Sequence, residues 1–212
     1  MMKVLLVNGS PHKNGCTYTA LCEVAKTLND EGIETEIFWI QNKPVGGCIA
    51  CKSCVKTGKC VFDDVVNECR EKAMEADGFI FSTPVHYAAA TGNLTGFMDR
   101  LFYSDFCGNG GKAFKFKPAA TVVSARRAGT TATFDQINKY YSISQMPVMP
   151  SRYWNMVHGT NADEVKQDLE GMQSMRFLAR NMAYYLKCID AGKKAGINPP
   201  EHETVTFTNF IR

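Results

Sequence analysis

The chain is predicted to fold as an α/β protein with a doubly wound parallel sheet, and three features carry that prediction. Strand-length apolar runs alternate with stretches of helical periodicity. The first run, Val4-Leu5-Leu6-Val7, is apolar at consecutive positions, which suits a strand covered on both faces. That run leads straight into a turn rich in glycine, serine and asparagine, after which a helical pattern begins. With 212 residues, 45% of them hydrophobic, there is material for one core, so residues 1–212 are read as a single domain.

Each element has its own warrant. Residues 3–8 form the first strand and residues 9–15 the turn. Leu21, Val24, Ala25 and Leu28 then recur at helical spacing over 17–29, and Gly32 marks the stop. Residues 34–40 make the second strand, completing a βαβ unit whose crossover is expected to be right-handed. After a cysteine-rich segment, residues 65–76 read as a helix with Asp63 and Asp64 as candidate caps. Residues 78–82 form the third strand, which Pro84 is expected to end. Leu94, Phe97, Met98 and Leu101 share a helical face over 92–103, and 119–123 is the fourth strand after a loop at 107–117. A helix over 131–141 precedes a short fifth strand, placed at 146–149 or at 153–157 because Pro147 and Pro150 leave its register open. One long helix is expected over 163–191. The region from about 162 to 212 is assigned to packing or oligomerisation, since the apolar end Val205, Phe207, Phe210 and Ile211 is expected to pack on its own core or on a neighbouring subunit.

Composition narrows the function classes. Basic residues number 24 and acidic ones 21, a net charge of +3 that is too small and too dispersed for a nucleic-acid or membrane surface, so the expected partner is a small molecule. No apolar run approaches the roughly 18 residues of a membrane span, residues 1–8 do not make a signal peptide, and a cytoplasmic location is expected.

Four of the nine cysteines, Cys48, Cys51, Cys54 and Cys60, fall in a C-x2-C-x2-C-x5-C run. In a reducing compartment such clustering points to metal or redox work rather than disulfides. Three readings stand: four thiolates gathered on an iron–sulfur cluster, a tetrahedral zinc site, or metal-free thiols used in packing or redox exchange. Lys52, Lys56 and Lys59 are positioned in sequence to offset thiolate charge. Cys16, Cys22, Cys69, Cys107 and Cys188 read as small apolar fillers or incidental surface thiols. Asp99 and Arg100 read as a local ion pair or cap. His158 and His202 have no spaced partner for metal ligation, and Trp39, Trp154, Tyr140 and Tyr141 read as core or interface residues.

Ligands in an open α/β sheet bind beyond the carboxyl ends of the strands. Three loops lie there. Residues 9–17 run from strand to helix, so backbone N–H groups can cradle an anion, with Ser10, Asn14 and Thr17 adding donors and His12 a positive charge. The string is neither a dinucleotide G-x-G-x-x-G nor a Walker A loop. In residues 83–92 small side chains let a flat ring approach the backbone, with His86 or Tyr87 over one face. Residues 124–130 carry Arg126 and Arg127.

The strings VNGSPHKNGCT and STPVHYAAATGNLTGFMDRLFYS, with the cysteine run between them, resemble the NAD(P)H-dependent FMN reductase branch of the flavodoxin-like superfamily over about residues 2–160. The cysteine spacing is similar to that of iron–sulfur flavoproteins, in which such a motif holds a 4Fe-4S cluster near FMN. The resemblance implies a flavodoxin-like three-layer sandwich with five parallel strands in the order 2-1-3-4-5. It implies FMN phosphate contacts at Ser10, His12, Asn14, Cys16 and Thr17, and isoalloxazine contacts at Pro84, Val85, His86 and Tyr87. Ser124, Arg126 and Gly129 in the third loop complete the implied cofactor set, and Cys48, Cys51, Cys54 and Cys60 the implied cluster ligands. His12 stands where the family often has arginine and Cys16 where it often has asparagine. The implied activity is hydride transfer from NAD(P)H through FMN to a quinone, flavin, nitro or azo compound, with no catalytic side chain because the flavin carries the chemistry. The implied assembly is a homodimer or homotetramer. Two rivals stand beside it: an iron–sulfur electron carrier, and a flavin-free module whose cysteines sense redox state or metal.

Overall fold

The computed structural model describes residues 2–206 and Thr208. Five strands, β1 (Lys3–Asn8), β2 (Glu34–Trp39), β3 (Gly78–His86), β5 (Ala119–Ala125) and β6 (Met156–His158), form a parallel sheet in the order β2-β1-β3-β5-β6. The two-residue strand β4 (Ala89–Ala90) folds back antiparallel on the end of β3. The parallel order is the flavodoxin-like one.

Both faces of the sheet are covered, which explains the unbroken apolar run in β1. Leu5 and Val7 point into a core closed by α3 (Val65–Glu75), α4 (Gly92–Asn109) and α5 (Thr130–Ile143). Val4 and Leu6 point into a second core under α1 (Cys16–Asp30), α6 (Ala162–Gln167) and α7 (Leu169–Lys194). Successive side chains of a strand face opposite ways, so a strand with a core on each side needs an apolar residue at every position.

Four boundaries depart from expectation. Pro84 does not end β3; it lies opposite Ser124 in the parallel ladder, and the strand runs on to His86. Proline's fixed φ is compatible with extended backbone, and what it removes is one donor. The fifth strand forms at Met156–His158, while the 146–149 alternative contributes an isolated bridge between Val148 and Ala119. The expected single helix over 163–191 is two, broken at Asp168, whose carboxylate accepts from Gly171 N at 2.9 Å and from His158 N at 2.7 Å. Helix α4 is a turn and a half longer than expected, ending where Gly110 adopts φ 66°.

Tyr141 is a core residue whose hydroxyl donates to Ala120 O at 3.1 Å, and Tyr140 donates to Asp99. Val205 is exposed and His202 stacks on Phe116 at 5.6 Å, whereas Phe207, Phe210 and Ile211 lie outside the described residues. No helix among the described residues is long and apolar enough to cross a membrane.

Candidate functional site

At the carboxyl ends of the strands the loops surround a cleft of about 920 Å³. The first loop is shaped by its own polar groups. Asn8 Oδ1 accepts from Ser10 N at 3.0 Å, Asn8 Nδ2 donates to Lys13 O at 3.1 Å, and Ser10 Oγ accepts from His12 N at 3.1 Å. Gly9 N donates to Ser82 O at 2.8 Å, and a Cβ on Gly9 would stand 2.6 Å from that same oxygen. Glycine is therefore required where the loop crosses the end of β3.

Gly15 opens α1 without a side-chain cap. The first-turn N–H groups of a 15-residue helix thus face the cleft without a side-chain acceptor, the arrangement that attracts an anion. Thr17 Oγ1 and Ser124 Oγ lie 2.8 Å apart and buried, tying the first loop to the third. Cys16 Sγ donates to Gly159 O at 3.6 Å, and burial pushes its thiol pKa up, so it lines the cleft as a neutral group. Thr91 caps α4, donates its hydroxyl to Gly9 O at 2.9 Å, and donates its backbone N–H to Thr83 Oγ1 at 3.1 Å. The second loop is thereby fixed to the first.

Ser10, His12, Asn14, Cys16, Thr17, Pro84, Val85, His86, Ser124 and Arg126 all line this cleft. Tyr87 does not: it sits at φ 60° on the tip of the β3–β4 hairpin, fully exposed. Gly129 lies behind the lining, where its φ of 92° and the 2.9 Å from a built Cβ to Val85 Cγ1 make it a support for the second loop. Trp39, read from the sequence as core or interface, forms a wall instead, donating from Nε1 to Ser10 O at 2.8 Å with Lys13 Nζ 5.9 Å from its ring centroid. Asn42 and residues 159–162 complete the rim. Trp39 was findable, since it ends a strand adjacent to β1; residues 159–162 carry no motif.

The cysteine segment is built differently. It lies against α4 on two glycines: a Cβ on Gly96 would stand 2.9 Å from Val45 O, and one on Gly108 would stand 2.5 Å from Cys54 O. Asn93 holds the chain before the motif, accepting from Val45 N at 3.2 Å and donating to Lys43 O at 3.0 Å. Asn67 clamps its end, accepting from Cys60 N and donating to Cys60 O and Phe62 O, each at 3.0 Å. Ala50 and Lys52 adopt φ of 54° and 59°, an uncommon conformation for residues with a side chain. The short helix α2 (Ser53–Thr57) follows.

Cys48, Cys51, Cys54 and Cys60 open on one small cavity of about 20 Å³, walled by Ile49, Val61, Phe62, Arg100 and Tyr103. All nine cysteines are free thiols. Burial, then the neighbouring Cys107, pushes the Cys54 thiol pKa up, whereas the Ser53 hydroxyl and amide lower that of exposed Cys51. Two cations line the site, Lys52, one of the three lysines expected from sequence, and Arg100, which the sequence did not point to; Lys59 pairs instead with Glu71 at 3.3 Å. Nor does Arg100 pair with Asp99. It grips Asp64 with both terminal nitrogens at 2.8 Å, while its Nε donates to Cys60 Sγ at 3.1 Å. Burial works against its charge, but Asp64 and Cys60 outweigh that and raise its pKa further.

Among the described residues no three His, Cys, Asp or Glu side chains are placed to hold a single metal ion.

A parallel sheet of this order, with an uncapped helix start at the carboxyl ends of its strands, defines a flavodoxin-like protein. Residues 2–161 match the family model described as NADPH-dependent FMN reductase, and the chain belongs to that family of NAD(P)H-dependent oxidoreductases. It is 31% identical to an iron–sulfur flavoprotein of Methanocaldococcus jannaschii over 196 residues, covering 89% of this chain and 99% of that one. An iron–sulfur flavoprotein of Methanosarcina thermophila is 27% identical, with 91% and 99% covered. Among solved structures, RosB with a bound formylriboflavin phosphate intermediate superposes with a TM-score of 0.71 at 16% identity, covering 100% of this chain and 93% of RosB. An NADH:FMN oxidoreductase in its apo form gives 0.59 at 16% identity, with 89% and 90% covered. At such identities the structural likenesses bear on the fold alone.

Proposed function

We propose that the cleft binds FMN and that the protein passes electrons from NAD(P)H to a small acceptor. The observation that carries this reading is the convergence of the three strand-end loops on one cleft into which α1 opens uncapped. Bound FMN would supply the chemistry, taking a hydride from NAD(P)H and yielding electrons to a quinone, flavin, nitro or azo compound. The chain's own part is binding and positioning. The α1 N–H groups, Ser10, Asn14 and Thr17 hold the phosphate, and His12 adds charge when protonated. Residues 84–86 and Ser124 and Arg126 bound the ring, and no side chain serves as a general acid.

A second reading is favoured by a specific observation, the four thiols on one cavity beside Arg100. In it Cys48, Cys51, Cys54 and Cys60 hold a 4Fe-4S cluster that exchanges single electrons with FMN, and the relatives' name, iron–sulfur flavoprotein, supports iron–sulfur and flavin chemistry in one chain. The protein would also work as a homo-oligomer: Ile49, Val55, Val61, Phe62 and Phe106 leave an apolar surface around the cysteine site. A monomer by light scattering at micromolar concentration would contradict the last point.

The visible absorption spectrum of protein purified without oxygen tests both readings. A flavin spectrum that bleaches on adding NADPH supports the reductase, and a broad brown absorption beneath it supports the cluster. Flavin that bleaches with dithionite but not with NADPH or NADH contradicts the reductase in favour of the carrier. A sample that stays colourless with added FMN contradicts both.

A further inference from the structure

Arg100 is among the largest fully buried side chains of the molecule, with its side chain 1% exposed. A buried guanidinium must have every donor answered, and this one is nearly saturated. Its terminal nitrogens meet Asp64 Oδ1 and Oδ2 at 2.8 Å each, and reach Phe62 O at 3.3 Å and Gly46 O at 3.4 Å. The Phe62 ring lies 4.9 Å from its central carbon. The remaining donor, Nε, is aimed at Cys60 Sγ at 3.1 Å. A fork held on its far side by a bidentate carboxylate has little freedom, so the direction of the Nε–H is fixed by Asp64. Asp64 in turn caps α3 through Val66 N at 3.1 Å.

We infer that Arg100 is a positioning residue that sets the reduction potential of the cysteine site through its hydrogen bond to the Cys60 sulfur. The inference rests on the reading of the four cysteines as ligands of a 4Fe-4S cluster. An added electron increases negative charge on the ligand sulfurs, and a hydrogen bond and a neighbouring cation both stabilise that charge. Arg100 therefore favours the reduced form and raises the potential. Among the four, Cys60 has its main chain clamped by Asn67 and its sulfur held by Arg100, while Cys54 is buried and Cys48 and Cys51 are exposed.

The test uses the full chain, reconstituted anaerobically with iron and sulfide, and its Arg100→Lys and Arg100→Gln variants. Iron and acid-labile sulfide are counted first; a wild-type protein that takes up neither overturns the cluster reading itself. With the cluster in place, it is reduced one electron at a time with dithionite and followed by electron paramagnetic resonance. The expected result is a potential shifted to more negative values in both variants, with FMN binding unchanged as the check on folding. Variants that load the cluster and titrate at the wild-type potential would overturn the role of Arg100 while leaving the cluster reading intact. Should neither variant fold, the wild-type protein labelled with 15N-arginine decides: a 15N coupling to the reduced cluster is expected, and its absence would overturn the inference.

Discussion

The cleft and the cysteine site are built on opposite plans. The cleft is made where strands end, and much of its first loop is shaped from within: Asn8 and Ser10 fold residues 8–13 through contacts of a few residues' range, while Gly9 lets the loop cross the end of β3 against Ser82. The cysteine site is an insertion between β2 and α3, and apart from the nearby clamp of Asn67 what holds it comes from far away in sequence: Asn93, Gly96, Arg100 and Gly108 of α4. The fold supplies the first site wherever the sheet forms; the second exists only where a helix has been tailored to receive it. Damage to one is therefore expected to spare the other.

The largest effect expected is on the cleft. Gly9→Val places methyl groups where a Cβ alone stands 2.6 Å from Ser82 O and 2.9 Å from Leu94 Cδ1. Overpacking of this kind costs about 1–3 kcal/mol, so FMN affinity by fluorescence titration is expected to fall roughly tenfold or more, with iron uptake preserved. Gly108→Val is the mirror experiment: its Cβ would meet Cys54 O at 2.5 Å, lifting α2 from α4. Iron retention is expected to fall and FMN binding to stay within about twofold, and equal losses at both sites would break the contrast.

Asn67→Ala removes three hydrogen bonds from Cys60 and Phe62 and should cost about 1–3 kcal/mol in chemical denaturation. The smallest effect concerns a group of three charges joining β1, β2 and α3. Partial burial pushes the Glu36 carboxyl up, but Lys3 at 2.8 Å and Lys72 at 2.7 Å outweigh it and hold its pKa below the ordinary 4.5. A lowered carboxylate stabilises the fold above its unfolded pKa and loses that contribution as pH falls through the folded one. Glu36→Gln is expected to flatten the acid side of the stability profile by less than about 1 kcal/mol, because the group is partly solvated. An unchanged profile would place the charge elsewhere.

The contrast also explains what could be read from sequence. The sheet order, the positions of the main helices and ten of the twelve cleft-facing candidates follow from periodicity, turn chemistry and family strings, because those are local signals. Tyr87 lies outside the cleft lining, exposed at a positive φ on the hairpin tip, a property of the hairpin and not of the string. The break at Asp168 was hidden because the apolar spacing continues across it; its carboxylate caps the second helix at Gly171 N and also accepts from His158 N, a tertiary bond that spacing does not encode. Arg100 and Asp64 were each visible, one as a local ion-pair partner and the other as a cap. Their pairing across 36 positions, with Cys60 on the remaining donor, is a property of packing that spacing does not encode.

FMN titration into protein with Cys48, Cys51, Cys54 and Cys60 all replaced by serine tests the separation of the two sites directly. One FMN bound per chain, with the affinity of the unaltered protein, is the expected result. Loss of FMN binding in that folded variant would contradict it, and would mean that the cleft depends on the cysteine insertion it is here taken to stand beside.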